Sequence, residues 1–268
     1  MSIGTYATAA RLLDLRRLRA LYRGLRANIQ IEPPETPDAA LVDLVAEPYE
    51  SPADVNDRLN RLRDVLRDAG DRRAIFLTIY ARMTRDVREG LDRGNFENPD
   101  WMADYVVAFA EYYREAFLAF EQGRLNAVPK PWRIAFGTSL AGDGLVMQDA
   151  FLGISAHINY DLAYAVRDAG IEGNRASKYA DHRRINDVLA GLVDAQQEAL
   201  ADLYAPGIDA VDAALGPLDE SFSLFSMAEA REQAWRVAVV LTDISFDPID
   251  RYARWVLKTT ATGAAAVV

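Results

Sequence analysis

The sequence predicts an all-α fold, a single irregular multi-helix bundle with a central, largely buried helix at about residues 145–168. Apolar residues recur at helical spacing along most of the chain, and no segment shows the alternation of a strand. The spacing between these segments is irregular, which argues against a solenoid repeat. With 268 residues, half of them hydrophobic, the chain is long enough to bury a substantial core.

The N-terminal part predicts a basic amphipathic helix within residues 1–30, with leucines on one stripe and arginines mostly elsewhere. Such a helix can bind a membrane or a partner, but we expect it to dock on the acidic body or on another subunit, so that it provides a possible homo-oligomer contact. Three prolines predict an extended connector over residues 31–44. The helical domain is expected at residues 45–258, followed by a flexible tail at residues 259–268.

Cap signals divide the first half of the domain. Ser51 and Pro52 predict the start of a helix that ends near Gly70. A second helix is expected from Arg72 to about Gly90. A third, from Asn98–Pro99–Asp100 to Gly123, carries seven aromatic residues that can line a pocket, although core packing is the preferred interpretation.

Later helices follow a loop rich in proline and glycine. After the central helix, a long helix is expected at about 178–204, then a shorter one, then one from Met227 to about Leu241 and a closing helix through Leu257. The GDG at 142–144 lacks the preceding strand of a phosphate-binding loop, so it is interpreted as a turn.

Composition excludes several classes of function. The chain has no cysteine, which excludes disulfides, thiolate nucleophiles and cysteine-ligated metal sites. A net charge of −10 argues against non-specific nucleic-acid binding. The N-terminus lacks the apolar core of a secretory signal, and no apolar run approaches the roughly 20 residues of an integral membrane segment, so we expect a cytoplasmic protein. The chain carries neither a Rossmann or Walker pattern nor GxSxG.

The central helix contains the strongest candidate site. His157 and Asp161 lie one helical turn apart beside its apolar face, where the carboxylate can orient the imidazole. Burying an unpaired polar group costs about 1 to 3 kcal/mol, so each must find a partner. The pair is one half of an acid/base site, or alternatively a structural ion pair within the core.

The second of the two histidines repeats this pattern. His182 lies one turn before Asn186, at the border of an apolar stripe. If the two helices pack antiparallel, His157 and His182 differ in position along the helix axes by roughly 12 Å. The two side chains can then line one elongated pocket, whereas this spacing does not predict direct contact between them. A lesser alternative is a metal site formed by His157, Asp161 and His182.

Several segments also resemble an uncharacterised all-helical family of bacteria and archaea. They are AIFLTIYARMT, NPDWM, VPKPWRIAF, MQDAFLGISAHINYDLAYAV and DHRRINDVL, of which AHINYDL is the most specific. The resemblance covers about residues 45–255 and leaves the N-terminal helix outside. It implies one helical domain with His157, Asn159 and Asp161 as hallmark positions, and it implies no activity.

We therefore expect an enzyme that performs acid/base chemistry, such as cyclisation, dehydration, isomerisation or hydrolysis, on a small, partly apolar molecule such as a polyketide-like metabolite. No cofactor is expected. The catalytic candidates are His157, Asp161 and His182. The substrate-binding candidates are Asn159, Tyr160, Gln148, Asn186 and Arg82, of which Tyr160 is also an alternative proton donor and Arg82 can hold an anionic group. The alternative function is a non-catalytic small-molecule-binding or scaffold protein.

Overall fold

The structure is a computed structural model that describes Thr8 and residues 31–142, 145–190, 227–244 and 246–265. Over these ranges the chain is helical and contains no strand, which confirms the all-α prediction. The helices are α1 (Ala39–Val45), α2 (Pro52–Asp68), α3 (Ala74–Asp92), α4 (Pro99–Glu121), α5 (Lys130–Ala141), α6 (Val146–Ala156), α7 (Leu162–Asp168), α8 (Arg175–Ala190), α9 (Met227–Asp243) and α10 (Asp247–Ala265). A short 3₁₀ helix lies at Leu125–Ala127, and a π-helical turn at His157–Asp161 joins α6 to α7.

The predicted caps of α2 are confirmed. Ser51 accepts a hydrogen bond on Oγ from the backbone N–H of Asp54 at 3.2 Å, and Pro52 occupies the first helical position, where no N–H is needed. Gly70 follows the helix with φ of +71°, a left-handed conformation that favours glycine. Local signals therefore determine both ends of this helix.

The predicted connector and tail differ from the structure. The connector at 31–44 ends in helix α1, because Asp38, after the last proline, caps it by accepting hydrogen bonds from the N–H groups of Ala40 and Leu41. The tail expected at 259–268 is instead helical through Ala265. Its side chains at Thr259, Thr260, Ala261 and Thr262 are buried, and burial on neighbouring helices stabilises a segment that sequence alone leaves undecided.

The chain from Val146 to Asp168 forms the expected central helix. Most side chains between Asp149 and Val166 are buried, because α3 and α5 pack on α6 while α4 and α9 pack on α7. Gly153 permits the close approach of α3, since a Cβ there would lie 2.5 Å from ring atoms of Phe76. The central helix thus has neighbours on several sides, as its apolar circumference predicts.

Three predicted helices fall partly or wholly outside the described residues, and one of them, the shorter helix expected after residue 204, lies wholly outside. The N-terminal helix at residues 1–30 lies outside them apart from Thr8. The helix expected at 178–204 begins earlier, at Arg175, and its description ends at Ala190. Of the helices that the structure describes, none is both long enough and apolar enough to cross a membrane.

Candidate functional site

A π-helical turn places the site residues on the central helix. The N–H of Leu162 donates to the carbonyl oxygen of His157, five residues earlier instead of four. Single π turns inside α-helices are rare and occur often at functional sites. The turn spans His157–Asp161, the segment that the sequence singled out.

His157 and Asp161 form the predicted pair. The Nδ1 atom of His157 lies 2.9 Å from Oδ2 of Asp161, and the two residues are 2% and 0% exposed. The indole Nε1–H of Trp132, on α5, donates to the same Oδ2 atom at 2.7 Å. Nδ1 of His157 and the indole N–H of Trp132 thus converge on one oxygen of Asp161 and fix its carboxyl group, which in turn orients the imidazole ring.

An aromatic cage surrounds the imidazole of His157; it consists of Phe76, Tyr80, Phe109, Tyr113 and Trp132. The ring of Phe109 stacks on it with a centroid separation of 3.5 Å and an angle of 8° between the planes. Tyr80 meets it edge to face at 4.5 Å. The cage excludes bulk solvent from the ring, so its electrostatic interactions act in a low-dielectric environment.

Burial decides the protonation of this pair. It lowers the pKa of His157 well below the ordinary value and raises the pKa of Asp161 well above it. Both shifts favour a pair with no net charge, in which one proton is shared across the Nδ1–Oδ2 hydrogen bond and Nε2 carries its own proton. Trp132 acts in the opposite direction on Asp161, because its hydrogen bond stabilises the carboxylate.

Three polar atoms in and beside the cage are buried without a hydrogen-bond partner among the described residues. They are Nε2 of His157, Oδ1 of Asp161 and the hydroxyl oxygen of Tyr113. Most buried polar atoms in folded proteins are hydrogen-bonded, so each exception calls for a physical explanation. Three such atoms in one aromatic cluster mark it as the most unusual polar environment of the described core.

His182 lies in a second polar cluster, on α8. Its Nδ1 is 3.0 Å from the hydroxyl of Tyr105, and its Nε2 is 3.1 Å from the carbonyl oxygen of Arg231. A carbonyl only accepts, so Nε2 carries the proton and Nδ1 accepts from Tyr105. Burial lowers the pKa of His182 well below its usual value, so this ring is neutral at physiological pH.

A cavity of about 50 Å³ lies between the two clusters. Its apolar wall is formed mainly by Tyr80, Met83, Val87, Tyr105, Phe109 and Ile185, and its polar wall by Thr84 and Arg231. The volume admits about four water molecules when one needs about 10 to 15 Å³. The cavity is smaller than a polyketide-like metabolite requires.

Neither histidine lines this cavity, but each contacts rings that do. Tyr80 and Phe109 separate it from His157, and Tyr105 stacks on His182. The two histidines therefore do not line a common pocket. A layer of aromatic side chains separates each of them from the cavity. Among the residues that the structure describes, no three histidine or carboxylate side chains are placed to hold a metal ion. Both nitrogens of His182 are hydrogen-bonded within another cluster, so the described structure does not bring the three residues of the metal alternative together.

The substrate-binding candidates are dispersed. Asn186 belongs to the His182 cluster, where its Oδ1 accepts from Nε of Arg231 at 2.8 Å. Asn159 donates to Oγ of Ser155, and Tyr160 packs against Tyr164, and neither belongs to the aromatic cage.

The other two candidates also lie away from the cavity. Gln148 accepts from the N–H of Leu145 and caps the start of α6. Arg82 is half-buried on α3 and is not part of the cavity wall.

Sequence reasoning missed three residues of this region: Trp132, Tyr105 and Arg231. A buried tryptophan needs an acceptor for its indole N–H. The sequence therefore indicates that Trp132 has a hydrogen-bond partner but does not identify that partner. Arg231 lies one turn before Trp235 and two turns before Ala238, which are both buried. That helical spacing places an arginine on the buried face of α9, and it could have been noticed.

Comparison with known proteins gives one match. The model of a family described as "Family of unknown function (DUF5995)" matches residues 53–268. The match agrees with the predicted resemblance to an uncharacterised family and extends further towards the C-terminus. No curated protein and no solved structure matches the chain.

Proposed function

The chain belongs to the DUF5995 family, whose description names no activity, and we propose from the site alone that the protein is an enzyme. It transfers a proton to or from a small, largely apolar molecule through Nε2 of His157. The observation that supports this most directly is the unpartnered Nε2 of a buried histidine whose other nitrogen is fixed by Asp161. A nitrogen held in this way is available to a ligand without breaking an internal hydrogen bond.

The energetic cost of the pair favours a chemical role over a packing role. An unpartnered buried polar atom costs about 1 to 3 kcal/mol, and both His157 and Asp161 contain one. Apolar side chains of similar volume would fill the same space without that cost. A pair kept only for packing would leave this cost unexplained, whereas a ligand that meets Nε2 would offset it.

The roles of the residues follow from their contacts. Asp161 holds the proton on the Nδ1 side and orients the ring, and Trp132 holds Asp161. In the uncharged pair His157 donates from Nε2, and after donation the negative charge rests mainly on Asp161, where the indole N–H stabilises it. The hydroxyl of Tyr113 is a second donor within the cage.

Phe109 controls access to His157. Its ring stacks on the face of the imidazole and, with Tyr80, lies between His157 and the cavity, so a ligand from the cavity reaches His157 only after these rings move. The size of the cavity restricts the substrate to molecules smaller than the polyketide-like metabolite that the sequence suggested. Turnover is therefore expected to be limited by this motion as well as by proton transfer.

The position of Phe109 also favours a second candidate, a protein that binds a small molecule in the cavity without reaction. In that case the His157–Asp161 pair acts only in the core, and Phe109 stays in place. The two candidates share the cavity but differ in whether His157 contacts the ligand. A comparison of binding with turnover separates them.

The experiment uses the full chain and a panel of small carboxylic acids, ketones, aldehydes and alcohols of up to about six non-hydrogen atoms, as the cavity volume suggests. Binding is measured by thermal shift and turnover by mass spectrometry, for the wild type, for His157→Gln and for a control, Arg167→Gln, on α7 outside the cage. We expect turnover that falls at least about 100-fold in His157→Gln, with the fold and binding retained, and that is unchanged in the control.

Two outcomes would overturn the proposal. Binding by the wild type without turnover would establish the non-catalytic candidate instead. Neither binding nor turnover of any compound would contradict both candidates.

A further inference from the structure

We propose that Arg231 is the anion-binding residue of the cavity, and that the ligand is a small monocarboxylate whose short apolar chain lies along α3 and α4. The anion site adds a class of ligand to the proposed function. It rests on that function in one respect only, that the ligand binds in the cavity. It does not depend on whether His157 performs chemistry.

Arg231 differs from the other two buried arginines of the described core in having no acidic partner. Arg73, Arg114 and Arg231 are 4%, 5% and 3% exposed. Arg73 forms ion pairs with Glu121 and Asp71, and Arg114 forms one with Glu111. No carboxylate of the described residues lies within ion-pair distance of Arg231.

A buried cation without a counter-charge is costly, and buried charges in proteins are ordinarily paired. The guanidinium cannot avoid this cost by deprotonation, because arginine stays protonated in proteins. The two paired arginines show how this core compensates such a charge, so Arg231 is an exception within one protein. An anionic ligand in the cavity would supply the missing partner.

The protein contacts of Arg231 are neutral. Its Nε donates to Oδ1 of Asn186 at 2.8 Å, and its Nη2 donates to the carbonyl oxygen of His182 at 2.6 Å. The guanidinium also interacts with the neutral hydroxyl of Tyr105, whose oxygen can accept while its proton is donated to His182, and no carboxylate of the described residues contacts it. These contacts hold the planar group in place, and a guanidinium fixed in this way recognises a carboxylate with good geometry.

Neighbouring titratable groups do not supply a negative charge. Burial raises the pKa of Tyr105 to about 12, so its hydroxyl is neutral at physiological pH, and it donates to His182. His182 itself is neutral, as described above. Thr84 donates its hydroxyl proton to the carbonyl oxygen of Tyr80. Among the described residues that line the cavity, Arg231 is therefore the one that carries a formal charge.

The rest of the cavity selects among anions. Aromatic and aliphatic side chains from α3, α4 and α8 form most of the wall, which suits a hydrocarbon chain. A phosphate at neutral pH carries more negative charge than one guanidinium neutralises, and it offers no apolar surface to this wall. A monocarboxylate of a few carbon atoms matches the single charge, the apolar wall and the volume of about 50 Å³.

The experiment compares propionate with propionamide, which has nearly the same shape and no charge. Binding to the full-length wild type is measured by titration calorimetry at matched pH and ionic strength. We expect propionate to bind about tenfold or more tightly than propionamide, the difference expected of a charge-assisted hydrogen bond. Equal binding of the two compounds, or binding of neither, would overturn the assignment without requiring any variant to fold.

Two variants locate the effect. Arg231→Gln is expected to abolish the preference for propionate. Arg236→Met is the control, because Arg236 lies on the same helix, is exposed and pairs with Glu232, and its loss is expected to leave the preference intact. If Arg231→Gln folds and keeps the preference, the carboxylate binds elsewhere and the assignment is wrong.

The two proposals fail in distinguishable ways. Propionate binding that needs Arg231, with no turnover of any carboxylate, supports the anion site and contradicts the enzyme. Turnover of a neutral compound with no preference for propionate supports the enzyme and contradicts the anion site.

Discussion

Substitution of Gly153 by alanine is expected to destabilise the protein, although alanine is the better helix former. A Cβ at this position would lie 2.5 Å from Cγ and Cδ2 of Phe76 and 2.7 Å from its Cβ. These atoms lie near the main chain of α3, so rotation of the ring cannot remove the overlap. Helix propensity would contribute about 1 kcal/mol in favour of alanine, whereas overpacking costs about 1 to 3 kcal/mol. Because the overlap is severe, we expect a net loss of about 1 to 2 kcal/mol.

Urea unfolding followed by circular dichroism measures this loss. The control is Gly90→Ala, also in a helix interior, where the added Cβ would lie 3.1 Å from Cε2 at the far edge of the Phe96 ring and the ring can yield. We expect Gly90→Ala to be closer to neutral, and Gly153→Ala to cost less in a Phe76→Ala background, where Cγ and Cδ2 are absent, than in the wild type. A Gly153→Ala variant as stable as the wild type would refute the close packing of α3 against α6.

Three further predictions concern buried polar groups. Burial lowers the pKa of His182, so below about pH 6.5 the unfolded chain binds a proton that the folded chain does not, and stability is lost as the pH falls. This contribution is about 1.4 kcal/mol between pH 7.5 and pH 5.5, so urea unfolding of His182→Gln should show a smaller decline than the wild type. Trp132→Phe removes the 2.7 Å hydrogen bond to Asp161 and should cost about 1.5 to 3 kcal/mol, and it should raise the pKa of Asp161 further. Glu121→Gln breaks the buried ion pair with Arg73, at 2.6 Å, and should cost about 3 kcal/mol in thermal unfolding.

Exposed positions provide the controls for these variants. Glu89→Gln breaks an exposed pair with Arg93 and is expected to cost less than about 1 kcal/mol. Trp255→Phe alters a tryptophan that is 43% exposed and should leave the unfolding midpoint nearly unchanged. Equal losses at buried and exposed positions would contradict the burial on which the three predictions rest, and a His182→Gln variant with the wild-type pH dependence would contradict the first.

Local spacing explains why the sequence predicted the His157–Asp161 pair. Two residues one turn apart on a helix are neighbours whatever the tertiary structure, and the π turn does not separate them. The same reasoning gave the caps of α2 and the buried central helix. Nothing local, however, indicates that five residues in this stretch adopt a π turn, a segment on which the distant helices α4, α9 and α10 pack.

Contacts between distant segments could not be predicted from one sequence. Trp132 reaches Asp161 across 29 residues, and Arg231 reaches His182 across 49. The prediction of a flexible tail at residues 259–268 was wrong for the same reason. The threonines and alanines there have no clear amphipathic pattern, and they become helical through burial on neighbouring helices. The substrate-binding candidates were chosen by proximity in sequence to His157, which explains why only Asn186 lies beside the cavity-lining Arg231.

The two histidines look equivalent in sequence, but their hydrogen bonds assign them different roles. Both ring nitrogens of His182 are hydrogen-bonded, so the ring has no nitrogen left for a ligand. The ring holds the hydroxyl of Tyr105, and the backbone carbonyl of His182 holds the guanidinium of Arg231. His157 uses one nitrogen and leaves the other unpartnered. A carboxylate held by Arg231 would direct its carbon chain towards Tyr80 and Phe109, the rings that contact His157. If both proposals hold, the rings of Tyr80 and Phe109 lie between the bound carboxylate and His157, and their movement away from the imidazole would join binding to proton transfer.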